Sequence, residues 1–209
     1  MASDAPLSAT DAARALRDLE SFEEGLSSRV GGLTCMVWGI VSAAIFVTYG
    51  LVLATATSGW FLAVLWVPWV VLGVVLTTAL WRLHAISLRQ SPSPRKSLLW
   101  ALAMTGFFVL AFLVLHLLSI TSLHHLHHEG MFHYMLVLNG LALFLIVGLV
   151  SRERGRLTAV PLLVVGAAIV VAGFLLGHAD LSQAGLALSS AAIVATGYCG
   201  AGLTAFVRG

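Results

Sequence analysis

The sequence predicts an all-α integral membrane protein: a six-helix transmembrane bundle with an amphipathic cytoplasmic helix before the first span. Of the 209 residues, 59% are hydrophobic and only 10% are charged, and the mean hydropathy is +0.99. An average globular protein has about 25% charged residues. The apolar residues also fall into runs close to the roughly 20 residues that cross a bilayer core. These two observations indicate a single membrane domain.

Residues 1–32 are predicted to form an amphipathic helix and a hinge on the cytoplasmic side. Thr10 is the expected N-cap. The apolar positions that follow recur at steps of three and four residues, and they are Leu16, Leu19, Phe22, Leu26 and Val30. In the helix after Thr10, five carboxylates outnumber three arginines, which is the wrong sign for anionic lipid. Two interpretations stay open, packing on the protein itself or docking to a partner subunit. Gly31 and Gly32 would permit a bend into the membrane.

The membrane domain is predicted to extend over residues 33–209. Its six spans are 33–56, 60–83, 98–120, 133–150, 157–177 and 184–207. Polar segments separate them, and the one before the third span is basic and contains two prolines. Charges and interrupted helices are poorly tolerated in lipid, so these segments are expected to be loops.

All eleven Lys and Arg residues lie on one side of this arrangement. They occur before the first span, at the end of the second span and in the connection after it, in the connection after the fourth span, and at the end of the chain. The other three connections contain none. The positive-inside rule therefore predicts that both termini are cytoplasmic. We expect the protein in the plasma membrane.

A histidine-rich connection between the third and fourth spans is predicted to lie outside. Imidazole binds zinc and copper, and histidines three or four residues apart share one face of a helix. The candidate ligands are His124, His125, His127, His128, Glu129, His133 and His178. In one alternative these are merely polar residues of an aqueous loop. In another, His116 and His133 hold a haem between adjacent spans.

Small residues recur at four-residue steps on the last two predicted spans. Gly173 and Gly177 form a GxxxG step, and Gly197, Ala201 and Ala205 continue the pattern on the sixth span. Such faces let helices approach closely, which serves either internal packing or oligomerisation. On the fourth span, Asn139 is expected to donate a hydrogen bond to another helix.

No acidic or basic residue lies in the middle of a predicted span, which argues against proton pumps and ion-coupled carriers. No catalytic motif is found, and no basic block suits nucleic acid. The leading hypothesis is therefore a non-enzymatic accessory subunit or a small-solute or metal-handling protein. Its partners would be the lipid bilayer and a second copy or another subunit. The alternatives are a membrane metalloenzyme or haem redox subunit, and a structural scaffold.

Overall fold

A computed structural model describes residues 8–54, 59–87, 132, 135–144 and 156–208. Within these ranges the protein is all helical, with five helices and no strand. In chain order the helices are α1 (Ala9–Ala54), α2 (Gly59–Ser87), α3 (Met135–Phe144), α4 (Arg156–Leu176) and α5 (Gln183–Arg208).

Three of these helices are long and apolar enough to cross a membrane. The segments that meet this condition are Ala9–Leu51, Val67–Ala85 and Gln183–Arg208, with mean hydropathies of 2.0, 1.4 and 1.5 in their most apolar stretches. The described apolar parts of α3 and α4 are shorter. The predicted third span, 98–120, lies outside the described residues. The structure therefore shows an all-helical chain with three candidate membrane helices.

Helix α1 begins at Ala9, and its capping residue, Ser8, lies two residues before the predicted cap, Thr10. The backbone N–H of Asp11 donates to Ser8 Oγ over 3.2 Å, and the Ser8 hydroxyl donates to Asp11 Oδ2 over 2.6 Å. Ser8 thus satisfies one of the free N–H groups at the helix start. The helix then continues through Gly31 and Gly32, where the sequence suggested a hinge. Gly32 has a different role, because it packs against the last helix.

The core forms where α1, α3, α4 and α5 meet. Its most buried side chains are Phe46, Phe132, Leu136, Leu143, Ile169, Leu186 and Val194. Helix α2 joins at the side, where a Cβ built on Gly73 would lie 3.3 Å from the Trp38 ring and 3.4 Å from Val41. Helix α2 therefore packs against α1 beside this core.

Large apolar side chains cover the outer faces of the bundle. Each of the following is more than half exposed: Val67, Val71, Val75, Val164, Val171, Leu188 and Leu203. Soluble proteins rarely expose large contiguous apolar patches. Lipid tails are as apolar as these side chains, so such a surface has no unfavourable hydration in a bilayer. The outer surface is thus the one expected of a membrane protein.

Candidate functional site: the seam between the first and last helices

Helices α1 and α5 pack against each other in opposite directions along a contact that we call the seam. It extends from Ser28, whose hydroxyl donates to Ala205 O over 2.9 Å, to Gly50, which lies against Ala187. The 22 residues of α1 between these points rise about 33 Å. A bilayer core is about 30 Å thick. The seam therefore has the length of one membrane crossing.

Glycine lets the two backbones of the seam touch. A Cβ built on Gly202 would lie 2.5 Å from Gly32 O, and one on Gly32 would meet the Gly202 carbonyl and lie 2.9 Å from Phe206 N. At Gly39, a Cβ would lie 2.6 Å from the Cβ of Tyr198. No real side chain tolerates such distances to a backbone that is itself held in a helix. Close helix contact of this kind supplies packing energy that the hydrophobic effect does not supply in lipid.

The seam residues recur at steps of three and four, with Gly202 beside Ala201. On α1 they are Ser28, Gly32, Cys35, Gly39, Ser42, Phe46 and Gly50, and on α5 they are Ala187, Ala191, Val194, Tyr198, Ala201, Gly202 and Ala205. Steps of three and four are typical of the shallow, left-handed crossing of coiled coils. The four-residue pattern predicted for the last span contributes only Ala201 and Ala205, because Gly197 packs against α4, with its built Cβ 3.0 Å from Val165.

The other small residues of α5 line an open groove against α4. The groove has a volume of about 490 Å³. Its lining includes Val160, Val164, Thr196, Gly200, Thr204 and Arg208. A Cβ on Gly200 would meet no atom within 4 Å. One small-residue face of α5 thus builds the seam, and a second one faces this groove.

The predicted GxxxG step on the fifth span ends a helix. Gly177 lies in the exposed turn after α4, and its N–H donates to Gly173 O over 3.1 Å, as a glycine that terminates a helix does. The close approach on α4 occurs at Gly166, where a Cβ would lie 3.0 Å from Gly140 O on α3. A role of Gly173 and Gly177 in oligomerisation stays a prediction.

Hydrogen bonds connect three helices at the seam. Cys35 Sγ donates to Tyr198 O over 3.3 Å, and the Tyr198 hydroxyl donates to Asn139 O over 3.1 Å. The Asn139 side chain donates to Met135 O, within its own helix, over 2.8 Å. The prediction that the Asn139 amide donates to another helix is therefore wrong, although its carbonyl accepts a bond from one. The two interhelical bonds, from Cys35 to Tyr198 O and from Tyr198 to Asn139 O, join α1, α5 and α3.

Almost all the predicted histidine ligands lie outside the described residues. These are His124, His125, His127, His128, Glu129 and His133, together with His116 of the haem alternative. His178 is described, and it is exposed in the turn after α4 with Nδ1 2.9 Å from Phe174 O. A protonated Nδ1 that donates to this carbonyl leaves the Nε2 lone pair for a ligand. Among the residues that the structure describes, no three His, Cys, Asp or Glu lie together as a metal site.

Phe132 anchors the end of the histidine-rich connection in the core. It is fully buried, and its ring meets that of Tyr49 edge to face with centroids 5.3 Å apart. A Cβ on Gly50 would lie 3.9 Å from the same ring, so Phe132 lies at the Gly50 end of the seam. The turn that carries His178 leads into α5 at that end. Phe132, which directly precedes His133 in sequence, and the turn with His178 thus lie at the same end of the bundle.

At its other end, α1 extends beyond the seam as an exposed segment, residues 9–26, which we call the arm. Every residue from 9 to 22 is exposed.

Comparison with models of protein families, with curated proteins and with solved structures finds no match for this chain. The function must therefore follow from three features of the chain itself, which are the seam, the arm and the histidines.

Proposed function

We propose that this protein is a non-enzymatic, multi-pass accessory subunit that holds a partner in a membrane complex. The observation that carries the proposal is that one helix forms the seam and continues beyond it as the arm. The 46 residues of α1 measure about 69 Å, more than twice the thickness of a bilayer core. Because the arm is continuous with a helix packed in the bundle, its position relative to the bundle is fixed. A subunit that holds a partner needs such a fixed position.

The composition of the seam supports this role over that of a carrier. Residues 30–54 of α1 and 184–207 of α5 contain no Asp, Glu, Lys, Arg or His. Carriers that couple transport to ions or protons normally place such a group within the bilayer. Close glycine contacts also oppose the rocking or sliding of helices that alternating access needs, because tightly packed interfaces deform little.

A six-span topology with cytoplasmic termini in the plasma membrane is part of the proposal. The start of the seam on α1 lies beside the end of α5, because Ser28 bonds Ala205. An even number of crossings places both ends of a chain on one side. The test uses sealed cells and a chain without Cys35 and Cys199. An Ala179→Cys variant should react with an impermeant thiol reagent from outside, whereas a Glu24→Cys variant should not; the opposite pattern would contradict the topology.

The accessory role is tested by the size and composition of the native particle. Membranes that contain the tagged full-length chain are solubilised in mild detergent, and the particle is analysed by light scattering and quantitative mass spectrometry. We expect the 22.1 kDa chain in a fixed ratio with a different protein. A particle that contains only this chain, as monomer or homo-oligomer, would rule out the accessory role.

Metal handling by the outer histidines is a second candidate function. It is supported by His178, whose Nδ1 bond to Phe174 orients the ring, and by Phe132, which brings the chain next to His133 to the same end of the bundle. Zinc or copper suits imidazole better than magnesium or calcium does. A haem held by His116 and His133 stays the alternative for these residues.

Calorimetric titration with zinc tests this candidate. The wild-type protein should bind the ion, and His178→Ala should weaken binding by roughly tenfold or more, because loss of one ligand removes a metal bond. A joint His124→Ala and His128→Ala variant should lose most of the binding. Affinity should fall as the solution is acidified, since protonated imidazole has no lone pair to offer. Equal binding by all three proteins would exclude this site.

A further inference from the structure

The arm carries an unpartnered stripe of large apolar side chains. Leu16 is 61% exposed, Leu19 is 58% exposed and Phe22 is 65% exposed. They are three residues apart and lie along one face of the helix. We call these three residues the stripe. Further along α1 on the same face, Leu26 is half-buried and Val30 is buried. One continuous apolar face of α1 is therefore buried in the bundle and exposed on the arm.

The charges of the arm are arranged around this stripe. On a helix with 3.6 residues per turn, Asp11 and Asp18 lie along one edge of the stripe, Glu20 lies along the other edge, and Glu23 lies one turn after Leu19 on the face of the stripe itself. These four carboxylates, which we call the rim, lie beside the stripe or among its residues. The arginines of the arm do not lie on this face.

Arg14 and Arg17 occupy the opposite face of the arm and contact their own helix. The Arg17 Nε donates to Ala13 O over 3.3 Å, and Arg14 Nη1 is 3.9 Å from Asp11 Oδ1. Both interactions are exposed and contribute little to stability. The side of the arm that carries apolar surface therefore has only carboxylates, whereas on its back Arg14 and Arg17 outnumber the one carboxylate, Glu24.

This arrangement excludes two occupants by charge. An anionic lipid surface would be repelled by the rim, whereas membrane-surface helices normally carry Lys and Arg beside their apolar face. A second copy of the stripe would bring rim carboxylates against rim carboxylates, and like charges across an interface are unfavourable. The complementary surface is an apolar groove with basic edges.

We infer that the arm docks as an amphipathic helix into an apolar groove of a different protein, and that Lys and Arg residues edge this groove. The stripe supplies the three anchors that helix-in-groove recognition uses at one-turn spacing. The rim selects the partner and its orientation through complementary charge. This inference rests on the proposed accessory role, for which it names the contact.

Photocrosslinking in isolated native membranes tests the inference with the full-length chain. A photoreactive phenylalanine analogue replaces Ala15, which is exposed on the same face of the arm, and the crosslinked peptide is sequenced by mass spectrometry. The stripe variant is Leu16→Gln with Leu19→Gln and Phe22→Gln. The rim variant is Asp18→Asn with Glu20→Gln and Glu23→Gln. The control is Arg14→Gln with Arg17→Gln.

We expect an adduct to a peptide of another protein that has apolar residues bordered by Lys or Arg. The stripe variant should lower the yield by about tenfold or more, because anchors of this kind dominate helix docking. The rim variant should lower it by roughly threefold, and 0.5 M salt should do the same to the wild type by screening. The control should stay within about twofold of the wild type, since its changes lie away from the contact.

Several results would overturn the inference. An adduct to a second copy, to residues 88–97 of the same chain or to lipid alone would identify another occupant of the stripe. If the rim variant gave the same crosslinking yield as the wild type, the partner's groove would not be edged by Lys and Arg residues. If the stripe variant keeps the native particle intact, the inference fails while the accessory role stands. If no heterologous particle exists at all, the accessory role itself fails.

Discussion

The two parts of α1 differ in what their large side chains touch. In the seam, Phe46 is 1% exposed and stacks on Phe132 with ring centroids 6.4 Å apart. In the arm, Phe22 is 65% exposed. Both phenylalanines belong to one uninterrupted helix. Helix formation therefore does not distinguish these regions, whereas packing does.

The difference indicates what maintains each region. The seam has small residues where the backbones touch and large buried ones, Phe46 and Tyr198, between them, so its sequence is explained by the fold. The arm has large apolar residues that the fold leaves exposed, at positions where a solvated helix would gain from polar side chains. We infer that a contact outside the described bundle explains their presence. Substitutions in the two regions should consequently affect different properties.

The largest expected effect comes from truncating the buried phenylalanine. Phe46→Ala should destabilise the protein by about 3 kcal/mol, because a buried aromatic ring loses its contacts and leaves a cavity. The matched variant in the same helix, Phe22→Ala, should change stability by no more than about 0.5 kcal/mol. Unfolding in detergent with increasing SDS, followed by circular dichroism, measures both. Similar losses in the two variants would show that the arm also packs on the bundle.

Adjacent glycines give the next effect, with the sign reversed between them. Gly32→Ala should destabilise by about 1 to 3 kcal/mol, because its Cβ would meet backbone atoms of α5 and force the helices apart. Gly31→Ala should stabilise by up to about 1 kcal/mol, since its Cβ would meet nothing within 4 Å and alanine favours helix. The same unfolding assay measures the pair. If both substitutions stabilised the protein, the close contact with Gly202 would be absent in the membrane.

The helices themselves could be predicted well from the sequence. Predicted spans 60–83, 157–177 and 184–207 agree within four residues with Gly59–Ser87, Arg156–Leu176 and Gln183–Arg208. Apolar runs bounded by polar or charged segments specify helix ends locally. The six-span topology stays a proposal, because only three of the described helices are long and apolar enough to cross a membrane.

The seam could not be predicted in the same way, because its contacts join distant parts of the chain. Gly32 reads locally as half of a Gly-Gly hinge, and only the position of Gly202, 170 residues later, gives it a packing role. The groups that join Cys35 to Tyr198 are similarly remote in sequence. Four-residue spacing on α5 located small residues but not the face that the seam uses. The candidate histidine site stays a prediction, since most of its residues lie outside the described ranges.

The smallest expected effect tests whether the polar bonds of the seam add to its packing. Tyr198→Phe keeps the buried ring but removes the hydroxyl that donates to Asn139 O, so it should destabilise by about 0.6 to 1 kcal/mol, the net value of such a bond in water or lipid. Thr204→Val is the control, because the Thr204 hydroxyl donates within its own helix to Gly200 O and its loss should be nearly neutral. The SDS unfolding assay must resolve about 0.3 kcal/mol to separate them. If Tyr198→Phe matched the control, the hydrogen bond from Tyr198 to Asn139 O would add nothing measurable to the packing around the Tyr198 ring.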